Sequence, residues 1–461
     1  MFCIKQKTIS VLEKYFTGNT FTYRQIIAII LPLLIDQAFV SGFGMINAAM
    51  ISSSGVAAIS AVNMVDSLNV FLLNIFIAIA TGGTVVVAQY KGVENHEMVS
   101  KAASQSITLI AILSVFVSVL IIVFRLPTLN LLFGKAEEAV YQNASLYLLG
   151  SCISYPFFAI TEAVCGALRG VAQTRAAMAL SLVKNILWVL LNVLFVLILD
   201  MGVMGIVYSM NISRVTSMIC AFVYLVKYNE SIRFKLKSLL QFSFSIQKKI
   251  LFIGIPFAME QMFFNGGKIL TQTFIVSLGT YSMTVNAIGS SLLMLIQIGA
   301  NALSLSVVTV VGQCMGRRDI EDARKYIKSF LGAASVLILL NLAVIFPLMP
   351  LLVRMFQPPG EIVPVIYQVV LMAGIAEPIL WPISFITPSA LRAAGDSKYT
   401  SVASLLSMWL FRVVLGYILG IILHFGIAGV WAAMIFEWGV RGVIFMLRFR
   451  GNKWCCHRLI D

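Results

Sequence analysis

Between Ile269 and Gly316 the chain runs for 48 residues without an Asp, Glu, Lys or Arg. A soluble domain has no place for such a run, whereas a helix needs about 20 apolar residues to cross a bilayer. Residues 67–90, 102–124, 329–353 and 413–436 are also charge-free. Over all 461 residues only 11% are charged and 60% are hydrophobic, against roughly 25% and 45–50% in ordinary soluble domains. Lipid must therefore solvate most of this chain.

Dividing the hydrophobic segments at Gly, Pro and charge clusters predicts an all-α integral membrane protein with twelve transmembrane helices. They fall near 25–50, 56–88, 102–124, 140–165, 177–199, 203–226, 250–276, 281–312, 327–348, 362–388, 400–422 and 427–447. The residue alternation of a membrane barrel is absent.

The net charge of +14 could suggest a nucleic-acid partner until the bases are placed. With the N-terminus inside, 25 of the 33 Lys and Arg fall in the N-terminal arm, the loops after even-numbered spans, and the tail. Arg125, Lys135 and Arg354 lie in the opposite loops; Lys184, Arg214, Lys268, Arg412 and Arg441 lie inside spans. This positive-inside pattern predicts a cell-membrane protein with both termini cytoplasmic and no nucleic-acid partner. The N-terminal arm has no apolar core of a cleaved signal, and the seven Cys show no four-ligand metal spacing.

The sequence repeats itself. Pro32-Leu33-Leu34-Ile35-Asp36-Gln37 returns as Pro256-Phe257-Ala258-Met259-Glu260-Gln261, an offset of 224. Gly55 matches Gly279, Ala88-Gln89 matches Gly312-Gln313, and Gly202 and Gly205 match Gly426 and Gly429; Ala167-Leu168-Arg169 matches Ala390-Leu391-Arg392 at 223. The expected organisation is an N-terminal arm (1–24), a first lobe (25–226), a basic cytoplasmic linker (227–249), a second lobe (250–447) and a cytoplasmic tail (448–461). Six spans per half make the lobes parallel, an arrangement suited to alternating access around a central cleft within one functional monomer.

Charges inside spans cost about 2.5–3.5 kcal/mol each and are functional candidates by default. Six acids qualify: Asp36, Asp66, Glu162, Glu260, Glu377 and Glu437. Asp36 and Glu260 are repeat mates, each followed by Gln, and sit roughly 16–18 Å past the preceding base. With Glu377 and Asp66 they are the candidates for ion coupling or substrate binding. Static ion pairs compete with that reading: Glu437 and Arg441 are four residues apart on one helix, and Glu162 precedes Arg169 by seven. Met259, Met262, Phe263 and Phe264 suit an adaptable pocket for a cation, or ordinary packing; Lys268 could neutralise an acid when the cleft is empty.

Enzyme motifs are missing. There is no GxxxxGK[ST] loop and no HExxH, and the three His are far apart. No ATPase partner, metal, cofactor or enzymatic activity is expected.

Pro32 with the Gly-rich end of span 1, Ala88-Gln89-Tyr90-Lys91-Gly92, Ala167-Leu168-Arg169-Gly170, Ala390-Leu391-Arg392-Ala393-Ala394-Gly395-Asp396 and the duplication of six spans resemble the multidrug and toxic compound extrusion (MATE) family over residues 25–447. The resemblance implies a V-shaped pair of lobes and a proton- or sodium-driven antiporter that exports organic cations, a small-molecule substrate being its partner besides the lipid bilayer. It also marks departures. Where the family usually has an Asp in span 1 this chain has Asn47, three turns beyond Asp36; the span-5 pair reads Trp188 and Asn192. The span-7 acid falls at Phe264, one turn beyond Glu260, and the span-10 acid near Trp381, one turn from Glu377. A branch using Asp36, Glu260 and Glu377 is the expectation. A lipid-linked sugar flippase of the same wider superfamily, whose cleft should hold several cations for pyrophosphate, and a non-transporting assembly factor are the alternatives.

Overall fold

The protein is seen in a computed structural model that describes residues 9–10, 12–52, 56–133, 137–457 and 459–460. Lys5, Lys7, Lys135, Arg458 and Gly55, used above, lie outside the described residues. Among those described there is no strand.

The first half holds six long helices: α1 (Tyr23–Ser52), α2 (Val56–Gly92), α3 (His96–Val123), α4 (Glu138–Gly170), α5 (Thr174–Asn192) and α6 (Gly202–Val223). The second half holds α7 (Phe244–Ser277), α8 (Thr280–Arg317), α9 (Ile320–Met355), α10 (Val363–Ala393), α11 (Ser397–Ser407, extended by wider turns to Ile422) and α12 (Gly426–Arg450). Eleven of the described helices are long and apolar enough to cross a membrane. The twelfth predicted span is α7, 34 residues long, whose Lys248, Lys249, Glu260, Gln261, Asn265 and Lys268 dilute its apolar character. Several helices overrun the predicted spans, because hydropathy registers the apolar stretch whereas backbone hydrogen bonding continues into the polar ends.

The duplication is written in the backbone as well as the sequence. Left-handed residues recur in pairs: Glu94 with Arg318, Asp200 with His424 and Gly202 with Gly426 at an offset of 224, and Ala172 with Gly395 at 223. Each marks a helix end where the chain must reverse within a few residues. The π-helical segment Val193–Ile198 that prolongs α5 has its mate in Ile418–Ile422 at the end of α11.

Two compact units result, one of Ala38–Ala258 and one of Met1–Gln37 with Met259–Asp461. The expected lobes divided the chain between helices; these units divide it inside α1 and α7, so each of the repeat-mate helices contributes to both.

In the first unit, helices approach through glycines. A Cβ on Gly82 of α2 would meet the Ile250 carbonyl oxygen of α7 at 2.5 Å, and one on Gly254 would meet the Ile79 Cα at 3.0 Å. Small residues supply contact where lipid offers no hydrophobic drive between helices. The linker is strapped to α3: the side-chain Oε1 of Gln105 accepts from Ser243 N and Gln247 Nε2, both 3.0 Å, and the Thr108 hydroxyl donates to the Leu239 carbonyl at 3.0 Å.

In the second unit the N-terminal arm docks on α9. Thr20 N donates to Asp322 at 2.6 Å, and the Tyr326 hydroxyl accepts from Phe21 N and donates to the Phe21 carbonyl. The tail is fixed by fully buried Trp454 and by Arg448, which bonds Asp396 at 2.7 and 3.2 Å.

Candidate functional site

The first unit buries a polar network centred on α2 and α4. Asp66 accepts from Asn69 Nδ2 and from the Tyr147 hydroxyl, each at 2.9 Å. Asn69 also donates to Ser151 at 3.1 Å and accepts from the Tyr155 hydroxyl at 2.6 Å. Arg214 on α6 donates to Ser154 at 2.6 Å and stands 5.1 Å above the Phe158 ring. Of these residues only Asp66 was singled out as a site and Arg214 merely noted as an in-span base. The signal for the rest was present: Tyr147, Ser151 and Tyr155 recur at spacing four, a polar stripe along an apolar helix.

Lower in the same unit, Asn192 Nδ2 donates to Asn47 Oδ1 at 2.8 Å. Both amides are buried, at 2% and 1% exposure, and Asn47 Nδ2, Asn192 Oδ1 and the Trp188 indole nitrogen have no hydrogen-bond partner among the described residues. The three departures noted at spans 1 and 5 thus meet as one neutral polar corner. Glu162 is engaged by Arg169 of its own helix at 2.5 Å.

In the second unit, Asp36 is buried and Gln37 partly so. Glu377 on α10 has no exposed surface; its Oε1 accepts from Gln297 of α8 at 2.5 Å and its Oε2 is buried without a hydrogen-bond partner among the described residues. Pro378 and Pro382 follow it within α10. These prolines release backbone carbonyls and loosen the helix beside the carboxyl.

Glu260 is held rather than free. Arg392 Nη1 reaches its two oxygens at 3.0 and 3.3 Å, and the Ser401 hydroxyl donates to Oε2 at 3.1 Å. The α10–α11 turn that carries Arg392 is itself buried from Leu391 to Ser397, so the guanidinium enters the fold without crossing water. Any coupling role of Glu260 must share the carboxylate with this cation. Glu437 and Arg441 pair at 3.2 Å as predicted for an i, i+4 pair. Gln261 and Phe264 are partly buried, while Met259, Met262, Phe263 and Lys268 are exposed on α7.

No group of three or more His, Cys, Asp or Glu among the described residues is placed to hold a metal ion. What the fold presents is a polytopic helical membrane protein made by duplication, with titratable groups buried in each half. The profile of the MatE family matches residues 32–194 and again 256–418, two segments separated by the same offset of 224, and the chain belongs to that family of multidrug efflux transporters. Among its relatives, an uncharacterized transporter YisQ of Bacillus subtilis is 26% identical over 92% of this chain and 93% of its own length. A probable multidrug resistance protein NorM of Thermotoga maritima is 24% identical over 94% and 93%. Among solved structures, a multidrug resistance MATE family transporter in an outward-facing conformation superposes with a TM-score of 0.85 at 19% identity, over 96% of this chain and 97% of its own. A transporter of Pyrococcus furiosus, described as having a binding pocket of reverse polarity, gives 0.83 with the same identity and coverage.

Proposed function

We propose that this protein is a cell-membrane antiporter that exports amphipathic organic compounds in exchange for protons, acting as a monomer with both termini in the cytoplasm. Glu377 carries the reading: a carboxyl wholly inside the second unit, with one oxygen bonded to Gln297 and the other without a partner, is a site that can take up and release a proton. Asp66 supplies a second titratable group in the first unit, ringed by tyrosine and amide donors that can rearrange as it does. The names of the relatives support multidrug efflux, and these acids favour cationic compounds among the substrates. Sodium is the alternative coupling ion; the first-unit corner that would hold it carries Asn47 and Asn192 in place of an acid.

Ethidium uptake into everted vesicles under an imposed proton gradient tests the reading. Wild type should accumulate ethidium and release protons in step, and Glu377→Gln should abolish gradient-driven uptake while still binding ethidium. Equal rates in the two proteins would remove Glu377 from the mechanism. Uptake driven by sodium and indifferent to the proton gradient would replace the coupling ion.

A further inference from the structure

The second unit holds more positive charge than an exporter of organic cations can use. Lys268 of α7, Arg412 of α11 and Arg441 of α12 all lie over the ring of Phe264, 4.9, 5.6 and 5.8 Å from its centre. Of the three, only Arg441 has a carboxylate partner among the described residues, Glu437. Three cations against one acid leave two positive charges without an ion-pair partner among the described residues beside a single aromatic ring. Like charges are not gathered this way inside a membrane protein for stability.

A cavity of about 230 Å³ opens beside them. Its polar lining is Lys268, Thr271, Gln272, Asn286, Ser290 and Arg412, with Trp431 beside them, and no acid among the described residues lines it. The hydrogen bonds set the polarity of that lining. The Trp431 indole can only donate, and it gives its N–H to Asn286 Oδ1 at 3.2 Å; Asn286 Nδ2 donates in turn to Gln272 Oε1 at 3.2 Å. The amide chain therefore ends on Gln272 Nε2, a donor with no acceptor among the described residues. Lys268 and Arg412 offer donors only.

The duplication gives a second, separate argument. At the offset of 224, Asn47 corresponds to Thr271 and Trp188 to Arg412, and both second-half residues line this cavity. The neutral amide corner of the first unit thus has a cationic counterpart in the second. The volume is below the roughly 300–1,000 Å³ of a site that encloses a whole drug-sized ligand, so it fits a head group.

We propose that this cavity binds an anionic group, a carboxylate, sulfonate or phosphate carried by an amphipathic molecule, with Lys268, Arg412 and Gln272 as its ligands. The site stands on its own geometry and does not depend on the coupling ion. It adds to the efflux reading a class of substrate, or of bound lipid, that carries negative charge.

Calorimetric titration of the purified full chain in neutral detergent with sodium benzenesulfonate tests it, with no ion gradient present, so its outcome is separate from that of the transport experiment. Saturable binding is expected. Lys268→Gln and Arg412→Gln should each weaken it about tenfold, the loss of one charge-assisted hydrogen bond, whereas Lys268→Arg and Arg412→Lys should largely keep it. Ser290→Phe, which removes no charge but fills the cavity, should abolish binding, and it serves where a charge variant fails to give a monodisperse protein. Phosphatidylglycerol that displaces benzenesulfonate assigns the group to a lipid headgroup; failure to displace assigns it to a soluble organic anion. Absent binding, or binding unchanged in both Gln variants, overturns the site.

Discussion

Arg392 reaches both carboxylate oxygens of Glu260 from a single nitrogen, Nη1, while its Nη2 donates to Ser389 at 3.1 Å. Its repeat mate Arg169 bonds Glu162, seven residues away on its own helix. The duplication thus repeats the arginine; Arg169 bonds an acid of its own helix, whereas Arg392 bonds one 132 residues away.

Because both members of the Glu260–Arg392 pair are buried, removing either takes from the other the ion-pair partner that offsets its burial. Glu260→Gln and Arg392→Gln should each cost about 3–5 kcal/mol. The double variant should cost clearly less than the sum of the two. Thermal unfolding of the four proteins in detergent measures the coupling, and additive losses would mean that the pair does not act as a unit.

Tyr326→Phe removes the hydroxyl that serves both the N–H and the carbonyl of Phe21. The Phe21 N–H loses its partner while the Phe21 carbonyl keeps the bond from Gly18 N, so a loss of about 1–3 kcal/mol is expected. Protease cleavage of the N-terminal arm should quicken at the same time. An arm as protected as in wild type would show that Asp322, Lys325 and Ser329 hold it without Tyr326.

Gly82 admits no side chain, since its Cβ would press on the Ile250 carbonyl. Gly82→Ala should lower stability by about 1–3 kcal/mol through forced separation of α2 and α7. Gly44, which has nothing within 4 Å of an added Cβ, is the control: Gly44→Ala should match or slightly exceed wild type in melting temperature.

Asn47→Ala leaves Asn192 with neither a donor nor an acceptor bond in a buried corner. A cost of about 1–3 kcal/mol in thermal unfolding is expected. Asn47→Asp keeps the Asn192 bond and adds the acid that the MATE resemblance places there, so it should introduce a pH dependence of ethidium transport that wild type lacks at this corner. Identical pH profiles would show that the corner takes no part in transport.

Much of this was legible in one dimension. Twelve apolar runs correspond to the twelve long helices among the described residues because lipid forces every backbone group to be satisfied within its own segment. The Glu437–Arg441 and Glu162–Arg169 pairs could be read from spacing because both partners ride one helix. The duplication could be read from Pro32 and Pro256 onward, and the backbone repeats it at Glu94 and Arg318.

Long-range pairings were hidden. Nothing in the spacing of Glu260 and Arg392, 132 residues apart, announces an ion pair. Nor does the sequence say that Lys268, Arg412 and Arg441, from three helices, share the face of Phe264. The sequence by itself determined the solvent, the number of helices and the internal repeat, since these depend on residue type along a line. Only the tertiary structure decided which charges within the helices are paired and which are not, because that depends on helix faces brought together across hundreds of residues.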